Sequence, residues 1–141
     1  MNDENIPTGN ILDVKGTVYD FLDEKEIGQD ILNGKLKNGY DDNLIINKNP
    51  NELKKFAKVK GDKTGIVLEV STTEPAFQFY TAAHLSTAHK EYGKKNELYE
   101  PFSAFCIEAQ HFPDSPHNDN FPTTLLKKED KYMQTTIYKF Y

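Results

Sequence analysis

The sequence predicts an all-β fold forming one domain over residues 1–141. Three observations predict it. Runs of β-branched and aromatic residues alternate with period two, Gly, Pro, Asn and Asp punctuate those runs, and no segment sustains a helical 3.6-residue pattern. A chain of 141 residues is long enough for one domain with a real core and too short for two ordinary ones. Eight Tyr and nine Phe supply much of its 37% apolar content, and its eight glycines and seven prolines are scattered. That composition suits a protein with many turns and argues against disorder or collagen-like repeats.

The elements follow in order. Residues 27–33 offer the best helical candidate, a short turn. Residues 42–47 read as a strand, followed by a turn at Asn49-Pro50-Asn51. Residues 55–60 alternate, but Phe56 falls on the face opposite Val59, so the register is ambiguous. Residues 61–65, with two glycines and an Asp that tolerate positive φ, predict a hairpin turn. The run Ile66-Val67-Leu68-Glu69-Val70-Ser71-Thr72-Thr73 carries the strongest strand signal. After Pro75, residues 76–81 resume an extended course with Phe77 and Phe79 on one face and Gln78 on the other. Residues 82–101 are a polar excursion. Residues 105–110 form another strand, 113–122 a loop rich in Pro, Asp, Asn and His, and 132–140 a terminal strand.

Charge and cysteine content narrow the function classes. The net charge is −5, from 17 basic and 22 acidic residues, and no basic stripe is present, so nucleic acid is a poor partner. The single Cys106 excludes an internal disulfide framework and suits a reducing compartment; as a small hydrophobe it is expected to be buried. The first residues lack a positive cluster and an apolar core, and no stretch reaches the roughly 18 apolar residues of a membrane span. A soluble, cytoplasmic protein is expected.

The most informative run is Phe105-Cys106-Ile107-Glu108-Ala109-Gln110-His111-Phe112-Pro113-Asp114. Alternation places Phe105 and Ile107 on one face and Cys106 and Glu108 on the other. A Glu in such a run is either partly desolvated, the condition under which a carboxylate serves as proton acceptor near neutral pH, or it points to water from an edge strand. Asp41 and Asp42 read alone as strand-capping or turn residues, and Gln78 read alone as a partner for a neighbouring backbone group.

Several blocks together resemble the aldose 1-epimerases (galactose mutarotases), in the C-terminal half of that family. They are Pro7-Thr8-Gly9 with residues 13–21, then Gly39-Tyr40-Asp41-Asp42-Asn43, then residues 71–81 (Ser-Thr-Thr-Glu-Pro-Ala-Phe-Gln-Phe-Tyr-Thr). The run from Phe105 to Gln110, with Phe112-Pro113-Asp114 and the terminal Tyr138-Lys139-Phe140, completes the order. The resemblance implies the large antiparallel sandwich of that family, of which this chain is the C-terminal part. It implies Glu108 as catalytic base, Asp41 and Gln78 as contacts to sugar hydroxyls, galactose or glucose as the hexose, and no metal or organic cofactor. The family often places His after its Asp, where this chain has Asp42. Family members run to roughly twice this length, within the range of a single β-sandwich domain. The family's acid histidine and site arginine belong to the portion this chain does not match, and none of His84, His89, His111 and His117 lies in a block matching that acid. His111 would share a site with Glu108 only if the strand bulged; the other three histidines read as solvated.

Mutarotation needs a base at the anomeric hydroxyl and an acid at the ring oxygen, each contributing about 10²–10⁴-fold when positioned. Two readings follow from the resemblance. One is an isomerase that interconverts anomers, completed by self-association or by a second chain. The other is a non-catalytic carbohydrate-binding or interaction module.

Overall fold

Six strands and one four-residue helix, α1 (Gln29–Leu32), make up most of the regular structure in the computed structural model, which describes residues 6–85 and 92–141. The strands are β1 (Asp41–Ile45), β2 (Lys54–Lys60), β3 (Val67–Thr72), β4 (Ala76–Tyr80), β5 (Cys106–Gln110) and β6 (Thr136–Phe140). They form two three-stranded sheets, ordered β1-β4-β5 and β2-β3-β6. The all-β character expected from the alternation, and the antiparallel pairing implied by the resemblance, are what the described residues adopt.

The hairpin of β2 and β3 turns at residues 61–65. There Gly61 donates to Ile66 O at 2.9 Å, Gly65 donates to Gly61 O at 2.9 Å, and Gly65 takes φ +71°. An L side chain avoids that φ because its Cβ meets the backbone; glycine does not. The ambiguous register of β2 has a physical cause. Lys55 pairs with Ser71 and Ala57 with Val70, so Phe56 is the extra residue of a β-bulge. The bulge resets the alternation, leaving Phe56, Ala57 and Val59 all partly buried and Phe56 against Phe77, ring centroids 4.6 Å apart.

Val70 and Thr72, on one face of β3, are buried, which for Val70 is worth about 1.5–3 kcal/mol. β6 pairs antiparallel with β3 from Thr72↔Thr136 to Leu68↔Phe140. The terminal strand is shorter than expected, beginning at Thr136 rather than residue 132. Upstream of it the side chain of Thr73 replaces a backbone partner: Thr135 N–H donates to Thr73 Oγ1 at 2.9 Å while Thr73 N–H donates to Thr135 O at 3.0 Å.

In the other sheet, Thr81 N–H donates to Tyr40 O and Ile46 N–H to Pro75 O, both at 2.9 Å. As one strand's numbers rise the other's fall, so β1 and β4 run antiparallel, with Asn43 opposite Gln78. Phe79 is buried as the alternation predicts, but Phe77, on the same face, is only half-buried.

The chain divides into two compact units. The first comprises residues 43–78 and 108–141 with the N-terminal segment to Gly9; the second comprises residues 10–42 and 79–107. In the second unit Tyr40 has no exposed surface. Its ring meets Phe79 at 5.0 Å, Phe21 at 5.4 Å and Tyr19 at 5.9 Å, and its hydroxyl donates to Val18 O at 2.9 Å. Asp30 is buried beside this cluster and accepts from Lys25 Nζ at 2.9 Å. That ammonium, its hydrogen bond chief among the causes, holds the Asp30 carboxyl below the usual carboxylate range. No helix among the described residues is long and apolar enough to cross a membrane.

Candidate functional site

β5 presents its residues as alternation requires: Ile107 is buried, and Cys106 and Glu108 are exposed. One expectation is thereby corrected and one of two open readings is selected. Cys106 is not a buried hydrophobe, and Glu108 is exposed. The cause is the same for both. β5 is an outer strand of its sheet, and the face carrying Cys106 and Glu108 meets solvent while Ile107 on the other face is buried. Of the two readings of Glu108, the edge-strand reading describes this chain.

Gln78 sits at the centre of β4, the strand between β1 and β5, and is half-buried. Opposite it in β1 is Asn43, whose Nδ2 is buried and has no hydrogen-bond partner. Cross-strand residues lie about 4.5–5.5 Å apart at Cβ, so Asn43 shares the face of Gln78. A polar residue two places after an Asp carries no periodic signal of its own, so the sequence alone gives Asn43 no role. Asp41 opens β1 on the exposed side, two residues before Asn43 and on the same strand face. Asp42 points to the other face, where it is a hydrogen-bond partner of Tyr19; burial and this carboxylate push the Tyr19 phenol up to about 12. The residue standing where the family often has His is thus engaged within its own unit.

The histidines separate clearly. His84 and His117 are exposed, as expected of solvated residues. His117 Nδ1 lies 2.5 Å from Asp114 Oδ1, and this hydrogen bond raises its pKa above the ordinary imidazole value. His89 lies outside the described residues. His111, just past β5, is half-buried. Its Nδ1 lies 2.6 Å from Glu74 Oε2, at ion-pair distance but without the alignment of a hydrogen bond.

Glu74 itself is 4% exposed. Its Oε1 accepts from Tyr132 Oη at 2.7 Å, and its own N–H donates to Thr72 Oγ1 at 3.1 Å. The Glu74 hydrogen bond is the main cause that raises the Tyr132 phenol above its usual value. Three segments far apart in sequence meet at this carboxylate, and no periodicity in any one of them announces it.

The second unit also holds an open cleft of about 700 Å³, lined by Asp20, Asp23, Glu24, Lys25, Asp30 and Lys35 among others. None of Asp41, Gln78 and Glu108 lines it, and its ion pairs are internal to the wall. No group of three or more His, Cys, Asp or Glu among the described residues could hold a metal ion.

Comparison with known proteins gives a consistent answer. The family model described as aldose 1-epimerase matches residues 1–139. Galactose mutarotases from Rattus norvegicus and Homo sapiens are each 38% identical over 135 residues, covering 96% of this chain and 38% of theirs. An aldose 1-epimerase from Haemophilus influenzae is 33% identical over 145 residues, covering 99% of this chain and 41% of its own. Among solved structures, a GalM/aldose epimerase homologue from C. elegans superimposes with a TM-score of 0.80 at 29% identity, covering 100% of this chain and 42% of that one. The chain therefore spans about two fifths of the length of these relatives.

Proposed function

The chain belongs to the aldose 1-epimerase family, and from that premise we propose that it acts on the anomeric centre of a hexose, galactose or glucose, with Glu108 as the proton acceptor. Glu108 takes the proton of the anomeric hydroxyl, the bond from C1 to the ring oxygen breaks, and the ring oxygen gains a proton. Rotation about C1–C2 and reclosure give the other anomer. Gln78 and Asp41 hold sugar hydroxyls, so the reacting carbon stays within reach of Glu108. The observation that carries this reading is Glu108 open to solvent on the strand beside the one that bears Gln78.

The acid is the weak point of the chemistry. His111 is engaged by Glu74, and no other histidine lies in a matching block. A second polypeptide, or a second copy, supplies the opposing wall and its acid. The exposed apolar residues Leu125, Leu126, Met133 and Phe140 in and before β6 favour such pairing, since β6 is an outer strand of its sheet. The exposed thiol of Cys106 suits a reducing, cytoplasmic setting.

A second reading, a carbohydrate-binding module without turnover, is favoured by the engagement of His111, the histidine nearest Glu108 in sequence, with Glu74. Polarimetry of freshly dissolved α-galactose separates the two. Turnover above buffer that falls about 100-fold in Glu108→Gln supports the isomerase; a complete pair of acid and base would exceed this chain by about 10²–10⁴. Turnover equal to buffer, with galactose binding lost in Gln78→Ala, supports the binding module. Neither turnover nor binding refutes both.

A further inference from the structure

The Glu74 carboxylate is buried and takes no part in the chemistry proposed above, yet it joins three segments. Glu74 precedes β4 and stands four residues before Gln78. His111 follows β5 and stands three residues after Glu108. Tyr132 precedes β6. The carboxylate reaches His111 at 2.6 Å through one oxygen and Tyr132 at 2.7 Å through the other. Around it, Thr72 Oγ1 lies 2.9 Å from Thr136 Oγ1, and Lys48 Nζ donates to Thr73 O at 2.9 Å. A carboxylate taken out of water costs several kcal/mol unless donors converge on it. Of its two partners, His111 follows the strand that carries Glu108 and Tyr132 precedes β6, while Glu74 itself precedes the strand that carries Gln78.

We propose that Glu74, through His111 and Tyr132, is the positioning residue that holds the Gln78 strand and the Glu108 strand in fixed relation. The proposal rests on the functional reading only in naming Gln78 and Glu108 as the groups to be held. The mechanism is geometric. β5 is an outer strand in the order β1-β4-β5, and the end of a strand opens more readily than its middle unless something beyond the ladder holds it. An anchor at His111 limits that motion within one turn of chain from Glu108. The same carboxylate fixes the start of β4, so displacement of one strand end is transmitted to the other. Tyr132 adds the link to β6 and the second sheet.

Amide hydrogen exchange on the full chain tests this without depending on activity. Glu74→Gln keeps the shape and an acceptor for Tyr132 but removes the charge facing His111. Exchange at residues 76–80 and 106–110 is expected to quicken about tenfold, while residues 54–60 in β2 stay within about twofold. The ¹⁵N resonance of His111 Nδ1 is expected to move in the same variant, and Tyr132→Phe, which folds with the same apolar ring, is expected to give the same regional pattern at about threefold. Unchanged exchange in β4 and β5, or quickening spread evenly over β2 and β3, overturns the proposal; if Glu74→Gln fails to fold, Tyr132→Phe decides on the same criterion. Mutarotation is read in parallel. A native chain that does not turn over galactose refutes the enzymatic reading and leaves the exchange result to decide the clamp. Where the native chain is active, Glu74→Gln should lower kcat about tenfold with KM changed less, since a displaced base costs rate more than binding.

Discussion

The two units of the chain solve the same problem with different side chains. Residues 10–39 of the second unit contain one four-residue helix and no strand, so backbone ladders contribute little there. The unit instead gathers large rings: Tyr40 at the centre, with Tyr19, Phe21 and Phe79 around it, and Lys25 Nζ 4.2 Å from the Phe21 ring centroid. The first unit has the β2-β3-β6 ladder, and its rings meet in pairs, Phe56 with Phe77 and Phe112 with Phe121, rather than around one buried centre. Its fully buried residues include Val70, Thr72 and Ala76, and polar long-range ties centre on Glu74. An irregular segment must bury much area per residue to offset its chain entropy, whereas a ladder satisfies the backbone first and leaves side chains free to carry polar links.

The comparison breaks most visibly at Tyr40. Tyr40→Ala should cost about 3–5 kcal/mol, as deletion of a buried ring does, with loss of the bond to Val18 O added. A denaturant melt should show the loss; a change below about 1 kcal/mol would mean that the aromatic cluster does not hold the second unit. Gly39→Ala comes next, at about 2–3 kcal/mol. Gly39 has φ +68°, and a Cβ there would lie 2.4 Å from Thr81 Oγ1 and 2.7 Å from Phe102 Cε1. In the first unit, Val70→Ala should cost about 2 kcal/mol, and half-buried Phe77→Ala about 1–2 kcal/mol, less than Phe79→Ala in the second unit. Equal losses at Phe77 and Phe79 would contradict the different burial of the two rings.

Alkaline pH sharpens the contrast. Burial, and for Tyr19 also Asp42, pushes the phenols of Tyr19 and Tyr40 from 10.0 up to about 12. The fold therefore retains protons that the unfolded chain releases. Their stabilising contribution is complete below pH 10.0 and is lost as pH rises toward about 12. Native chain should lose stability relative to Tyr40→Phe across that window, read from paired denaturant melts; parallel curves would rule the linkage out. Smallest of all is Lys55→Ala in β2. Lys55 Nζ reaches Glu69 Oε1 at 2.9 Å from an exposed position, and exposed pairs rarely move a melt measurably.

Much of the architecture was legible beforehand. The hairpin at residues 61–65, the helical turn near Gln29 and the alternation of β3 and β5 follow from local composition, because turn chemistry and period-two burial act over a few residues. The bulge at Phe56 was visible only as a conflict between two faces, and the pairing of β2 with β3 resolves it. The family, too, could be read from ordered blocks, since each keeps its residue types together in the chain.

Residue types and their spacing by themselves determined the all-β class, and the ordered blocks that resemble the family supplied Asp41, Gln78 and Glu108 as candidates. They also placed Cys106 and Glu108 on one strand face, because side-chain direction in a strand is a local property. Tertiary structure alone decided which face met water, and it exposed Glu108 and Cys106 where the local pattern allowed burial. It alone brought Glu74, His111 and Tyr132 together and set Asn43 opposite Gln78. Exposure and long-range pairing depend on which strands are neighbours and which edges stay open, and strand order is a property of the assembled sheet that no single segment contains.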